Sequence, residues 1–128
     1  MLLEEMIHAF WRDSTVLAKA IPPERFFTGP VKLDAMPRVV LVHEQTKILV
    51  QTNRRNSWKR IKIRFEIHHE TFETGAAVAR LIEETFDRLR LNAADGSWSF
   101  LFQWIESETQ PLEDRAWKFV RRFQLTGQ

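Results

Sequence analysis

The densest group of side chains that could bind a metal ion or transfer a proton lies at Glu66-Ile-His-His-Glu70. Imidazole and carboxylate groups are common ligands of zinc. The flanking residues alternate between apolar and charged, which predicts a strand, and neighbouring strand residues point to opposite faces. Because His68 and His69 would need a bulge to share one ion, we interpret this group as polar residues at a strand end and predict no metal site.

The other residues that could do chemistry are scattered. His8 and His43 are isolated, and the acidic residues Glu83, Glu84 and Asp87 are expected on the solvated side of a helix. The serines occur in no nucleophile-elbow context, and the four glycines form no phosphate-binding loop. The chain has no cysteine, which excludes disulfides and thiol chemistry and favours a reducing compartment. We therefore predict that the protein is not an enzyme and binds no cofactor.

A basic segment surrounds one tryptophan between positions 54 and 64. Its members are Arg54, Arg55, Trp58, Lys59, Arg60, Lys62 and Arg64. Cations around an aromatic ring can bind phosphates while the ring stacks on a base, as in proteins that bind single-stranded nucleic acid. Lys and Arg also keep hairpin tips and strand edges soluble. We favour a solvated surface or a contact with a neighbouring subunit, and keep a small nucleic-acid-binding α+β module, using the basic hairpin 54–64, as the alternative.

Two elements with different periods position these residues. From Ile61 to Ile67 apolar residues alternate with charged ones, which predicts a strand with one buried face. From about Thr71 or Thr74 to Arg90 apolar residues recur every three or four positions, which predicts an amphipathic helix. A half-buried strand followed by a helix that covers it is typical of a two-layer α+β domain.

The segments before the central strand predict one helix and up to two strands. An apolar stripe predicts a helix from about Leu2 to Ala20, ended by Pro22-Pro23. The Gly and Pro residues of Glu24 to Pro37 indicate an irregular connection. Apolar runs in Arg38 to His43 and Lys47 to Thr52 predict two strands or one interrupted strand, so that Lys47 to His69 forms a hairpin.

The last third predicts a second hairpin. A turn is expected at Asn92 to Ser97, because Gly96 can adopt positive φ and Asp95 can bond its own backbone. Alternating aromatic residues predict a strand from Trp98 to Glu106, with apolar residues on both faces. Ser107 to Asp114 is expected to be a polar loop, and Arg115 to Leu125 a strand.

These elements fit one domain. A chain of 128 residues, 44% hydrophobic and 28% charged, suits a single α+β domain over residues 1–128. The predicted fold is a mainly antiparallel twisted sheet of about four to five strands packed against two helices, in the order α-β-β-α-β-β, with room for one extra short strand. The net charge of +2 does not by itself indicate nucleic acid. No apolar run approaches the roughly 20 residues that span a bilayer, and the start lacks the basic region of a signal peptide, so we expect no membrane partner and a cytoplasmic or virion location.

The order of elements resembles the small tail-completion and tail-terminator-like proteins of tailed bacteriophages and prophages. The resemblance starts with the opening helix and rests on Phe26-Phe-Thr-Gly-Pro30, on Met36-Pro-Arg-Val-Val-Leu41 entering a strand, and on Ile61-Lys-Ile-Arg-Phe-Glu-Ile67 leading into the helix from Ala76 to Leu89. It ends with Trp117-Lys-Phe-Val-Arg-Arg-Phe123 as the closing strand. His68-His69-Glu70 and the basic segment depart from the family's pattern.

The resemblance implies a structural assembly protein without catalytic activity. Members of this family generally form rings, often hexameric, that cap the tail tube and join it to the head. The expected partners are therefore further copies of this chain, tail-tube proteins and head-connector proteins. In this interpretation the hairpin around Arg54 to Arg60 and the loop Ser107 to Asp114 project toward neighbouring subunits or tube proteins.

Overall fold

A computed structural model describes residues 3–29, 36–52, 56–113 and 115–128. Its helices are α1 (Leu3–Asp13), α2 (Thr15–Ala20) and α3 (Phe72–Phe86), and a single 3-10 turn spans Pro23–Arg25. Its strands are β1 (Phe26–Thr28), β2 (Arg38–Thr52), β3 (Asn56–His69), β4 (Arg90–Asn92), β5 (Ser99–Pro111) and β6 (Trp117–Gly127). No helix of this described part is long and apolar enough to cross a membrane.

The described strands form one mixed sheet in the order β1-β2-β3-β6-β5-β4, which curls into a half-barrel. β1 and β2 are parallel, and the other neighbouring strands are antiparallel. The predicted sheet of four to five mainly antiparallel strands on two helices is therefore wrong, since the described part of the chain contains a mixed sheet of six strands and three helices. The prediction missed β1 and β4, because strands of three residues are too short to show alternation.

The predicted helix from Leu2 to Ala20 is interrupted at Ser14. Ser14 has an extended backbone, and its side chain accepts a hydrogen bond from the Leu17 amide, so it caps α2. The apolar stripe survives the break, because its four central members Ile7, Trp11, Leu17 and Ile21 are fully buried. The Trp11 indole donates to the Ile21 carbonyl over 2.9 Å, which ties α1 to the end of α2.

Two of the predicted strand boundaries also differ. β2 is a single strand with register shifts between His43 and Gln45 and between Ile48 and Val50, so the apolar runs belong to one interrupted strand. β5 continues to Pro111, into the segment Ser107 to Asp114 that was predicted to be a polar loop, and its Thr109 pairs with Phe119 of β6. The serine, threonine and glutamate residues of that segment are typical of a loop. The segment is a strand because its backbone forms hydrogen bonds with the long neighbouring strand β6.

The hydrophobic core lies between one face of the sheet and the helices. Phe86 of α3 is central, since its ring packs against the rings of Phe65, Phe102 and Phe123 from three adjacent strands. All four residues are 0% exposed, so the helix and the middle of the sheet form one packed layer. The opposite face of the sheet, called here the outer face, carries the alternate residues of the same strands.

Candidate assembly surfaces

The histidine and glutamate group does not converge on one point. Glu66 and His68 lie on the outer face, and the His68 Nδ1 is 3.3 Å from Nη2 of Arg38, which donates to it. His69 instead accepts a hydrogen bond from the amide of Thr71, just before α3 begins. Within the described residues no group of three or more His, Cys, Asp or Glu side chains could bind a metal ion.

Glu66 is the centre of an ion-pair network on the outer face. Its carboxylate lies 2.6 Å from Arg64 Nε, 3.4 Å from Lys118 Nζ and 3.6 Å from His68 Nε2. The pKa of Glu66 falls to about 2, because the hydrogen bond with His68 and the interactions with Arg64 and Lys118 together outweigh the opposing effect of burial. Glu66 is therefore a fixed negative charge at every pH at which the protein would work.

The network continues towards β5 through Glu44 and Arg122. Glu44 Oε2 lies 3.2 Å from Arg64 Nη1 and 3.3 Å from Arg122 Nε, so one carboxylate of β2 bridges β3 and β6. Arg122 also approaches two carboxylates of β5, Glu108 at 3.3 Å and Glu106 at 3.7 Å. These pairs are partly solvated, so they orient side chains across the sheet more than they stabilise it.

The structure separates the members of the basic segment. Trp58, Arg60, Lys62 and Arg64 continue the outer-face alternation of β3, whereas Lys59 lies on the other face, and Arg54 and Arg55 lie outside the described residues. Arg64 is paired with Glu44 and Glu66. Lys47, Lys59, Arg60 and Lys62 have no carboxylate within 4 Å among the residues that the structure describes, so their charges are available to a partner.

Among the described residues, two strands extend beyond the core and each has one uncovered edge. β1 pairs with Val39 to Leu41 of β2, and every residue of β2 from His43 to Val50 is exposed. We call Gln45–Thr52 together with Asn56–Lys62 the β2–β3 arm. β4 pairs only with Ser99 to Leu101 of β5, and every residue from Gln103 to Pro111 is exposed. We call Ile105–Pro111 the β5 edge.

Exposed apolar side chains concentrate on the same two regions. The described residues include eight large hydrophobic side chains that are exposed, and six of them lie on the arm, on the β5 edge or next to that edge. They are Ile48, Leu49, Val50, Trp58, Trp104 and Ile105. Exposed apolar residues that cluster beside charged ones commonly mark surfaces for protein partners.

A shallow groove of about 390 Å³ lies on the outer face between β2, β3 and β6. Its charged walls are Arg38, Arg64, Glu66 and Lys118, with His68 beside them. Glu66 pairs with both Arg64 and Lys118, so this charge is partly compensated inside the groove itself.

Neither a protein-family model nor a curated protein sequence matches this chain. Its fold is similar to that of a chain in the solved structure described as "Virion of native gene transfer agent (GTA) particle". The two chains share 13% identity and superpose with a TM-score of 0.74, and the match covers 98% of this chain and 93% of that chain. This fold therefore occurs in a virion particle, which confirms the coarser part of the predicted resemblance, a fold used by virion components.

The sequence predicted contacts for the basic segment and for Ser107 to Asp114, but it did not predict that the second region is a strand edge with an acidic charge. Glu106 and Glu108 were placed in a strand end and a loop, whereas both belong to the β5 edge. The distribution of charge along the sequence could have indicated these two oppositely charged regions. No Asp or Glu occurs from Gln45 to Phe65, and no Lys or Arg occurs from Ser99 to Glu113.

Proposed function

We propose that this protein is a structural component of a phage-type virion, and specifically a tail-completion or tail-terminator protein that forms a ring at the head–tail interface. The observation that carries the proposal is the fold match to a chain of a gene transfer agent virion over 98% of this chain. The partners in this role are further copies of the chain, tail-tube proteins and head-connector proteins.

The surface chemistry supports an assembly role without catalysis. Two long strands present unpaired backbone, exposed apolar side chains and charges of opposite sign, which are features of protein–protein contacts. The carboxylates of the outer face are engaged in ion pairs with Arg and Lys side chains of neighbouring strands, which is the arrangement of a structural charge network. The proposed work of the protein is therefore binding.

The direct test is to inactivate the gene in the element that encodes this chain. Induced cells should then produce heads without attached tails, or tails of irregular length, and a plasmid copy of the gene should restore joined particles. Mass spectrometry of purified wild-type particles should detect the chain. Normal yields of joined particles from the mutant, or particles that lack the chain, would contradict the proposal.

A second candidate function is binding of single-stranded nucleic acid by the β2–β3 arm. The specific observation in its favour is that Trp58, Arg60 and Lys62 share one face and that neither cation is neutralised by a described carboxylate. Fluorescence anisotropy with labelled oligonucleotides at low and high salt tests it. Binding that weakens with salt and with the Arg60→Gln and Lys62→Gln changes would support it, and no binding at low salt would remove it.

A further inference from the structure

We propose that copies of this chain assemble head to tail, by pairing the β2–β3 arm of one copy with the β5 edge of the next. The inference rests on the proposed function, because it names the surface by which the proposed ring would form. It follows from the backbone, the charge and the apolar side chains of these two regions.

The backbone of both regions is open to an added strand. The ten residues of β2 from His43 to Thr52 pair with β3 on one side only, and the seven residues of the β5 edge pair with β6 on one side only, among the strands that the structure describes. Long uncovered edges of this kind are templates for pairing with another chain. β2 and β5 are antiparallel to each other within the sheet, so a second copy that continues the sheet would form an antiparallel pair.

The charge of the two regions selects this pairing over a symmetric one. Residues 45–65 contain seven cations and no carboxylate, and residues 99–113 contain three glutamates and no cation. Two arms placed edge to edge would bring like charges together, and so would two β5 edges. An arm facing a β5 edge brings Lys47 of β2, and Lys62 one strand further in, towards Glu106 and Glu108, which pair with Arg122 and yet remain about half exposed.

Apolar side chains are exposed on both sides of the proposed contact. Ile48 and Val50 of the arm are 56% and 52% exposed, and Ile105 of the β5 edge is 46% exposed. In the isolated chain this surface is in contact with water. Pairing the two regions would bury it beside a charged rim, which is the usual composition of a specific interface.

The positions of the two regions determine the kind of assembly. Lys47 lies level with Leu101 across the sheet, whereas Gln110 lies level with Arg38, so the arm and the β5 edge are at opposite ends of the strands. Pairing them requires a stagger along the strand direction. Strands that are tilted to a ring axis absorb such a stagger, as they do in a closed barrel. Because the chain of copies always ends in one free arm and one free edge, the contact is heterologous, and it forms a ring when the rotation from one copy to the next closes on itself.

Cross-linking tests the contact directly, because the wild-type chain contains no cysteine. A variant with Ile48→Cys and Thr109→Cys carries one thiol on each region, on the same face of the continued sheet. With a flexible bismaleimide it should give a ladder of covalent oligomers on a denaturing gel, while either single variant gives none. The matched control is a double variant with Thr109→Cys and Val16→Cys, because Val16 is 61% exposed on α2. This control should run as an uncross-linked monomer on the denaturing gel.

Charge reversal provides a second test that does not depend on cross-linker reach. Lys47→Glu with Lys62→Glu reverses the arm, and Glu106→Lys with Glu108→Lys reverses the β5 edge. Each variant alone should sediment as a monomer, and an equal mixture should assemble again, because each reversed region then finds its complement on the other variant. Circular dichroism confirms that both variants are folded.

The outcomes are distinguishable from those of the gene-inactivation test. Dimers from the single cysteine variants would show symmetric pairing and overturn the inference. The inference would also be overturned if the charge-reversal variants formed oligomers as the wild type does, or if the wild-type chain stayed monomeric at high concentration and low salt. A third contradicting result is an arm reversal that abolishes oligonucleotide binding without altering cross-linking. In each of these cases, heads without attached tails from the gene mutant would still support the proposed function.

Discussion

The two ends of β2 and β5 differ in what covers them. At one end, Val39 and Leu41 of β2 and Phe100 and Phe102 of β5 are buried against helices. From His43 to Val50 and from Gln103 to Pro111 every residue of the same strands is exposed. Among the residues that the structure describes, these projecting ends are held in strand geometry by pairing with β3 and β6. The comparison indicates that the covered half of each strand stabilises the fold and that its projecting half is available for contacts.

The largest expected effect is in the covered half. Phe65→Ala removes a fully buried ring that packs against Phe26, Phe86 and Phe123, and should lower the free energy of unfolding by about 3–5 kcal/mol. Phe72→Ala is the matched control, because that ring is 46% exposed and should cost about 1 kcal/mol or less. Urea unfolding measures both. Equal losses would show that the core is not where the structure places it.

The second largest loss of stability is expected at the ion pair between Arg121 of β6 and Glu83 of α3. Arg121 is 9% exposed, and its guanidinium donates to Glu83 of α3 and to the carbonyls of Glu108 and Val120. Arg121→Met leaves Glu83 without this partner and should cost about 3 kcal/mol. Arg12→Met breaks a solvated pair with Asp13 and should cost less than about 0.5 kcal/mol. The two values come from the same unfolding experiment, and similar values would contradict a buried role for Arg121.

The outer-face network should make stability depend on acid pH. The pKa of Glu66 falls from 4.5 to about 2 in the folded chain, so its contribution is present above pH 4.5 and is lost as pH falls towards 2. For a mostly buried carboxylate this contribution is about 2–3 kcal/mol. Unfolding free energies of the wild type and of Glu66→Gln, measured between pH 2 and pH 7, should converge at the acid end. A constant difference across this range would refute the network.

The smallest expected effect is in the projecting half. Ile48→Thr alters a side chain that is 56% exposed, and should change the free energy of unfolding by less than about 0.5 kcal/mol. Ile63→Thr places the same change at a position that is 1% exposed, and should cost about 2–4 kcal/mol. A large loss from Ile48→Thr would mean that the arm packs against its own chain.

The sequence predicted elements wherever local pattern and tertiary environment agree. The alternation from Ile61 to Ile67 corresponds to a buried strand face, and the helix that follows is present. The turn at Asp95 to Ser97 has the predicted chemistry, because Gly96 has a φ of 75° and Asp95 accepts a hydrogen bond from the Ser97 amide. These features depend on residues close in sequence.

Features that depend on distant residues could not be predicted. Periodicity placed Arg64 on the solvated face, but its partner Glu44 comes from another strand 20 residues away. The β5 edge contains polar residues that resemble a loop, and its strand conformation follows from the long register with β6. The uncovered edges depend on the strand order of the whole sheet, which alternation in a single segment does not specify.

The central claim is that the arm and the β5 edge are the surfaces through which copies of this chain assemble. Hydrogen exchange at low and at high protein concentration tests it most directly. Amide protection should rise with concentration in residues 43–50 and 105–110, while the amides of Ile63 and Phe123 change little. A rise confined to another surface, such as the exposed side of α3, or no rise at all, would contradict the claim.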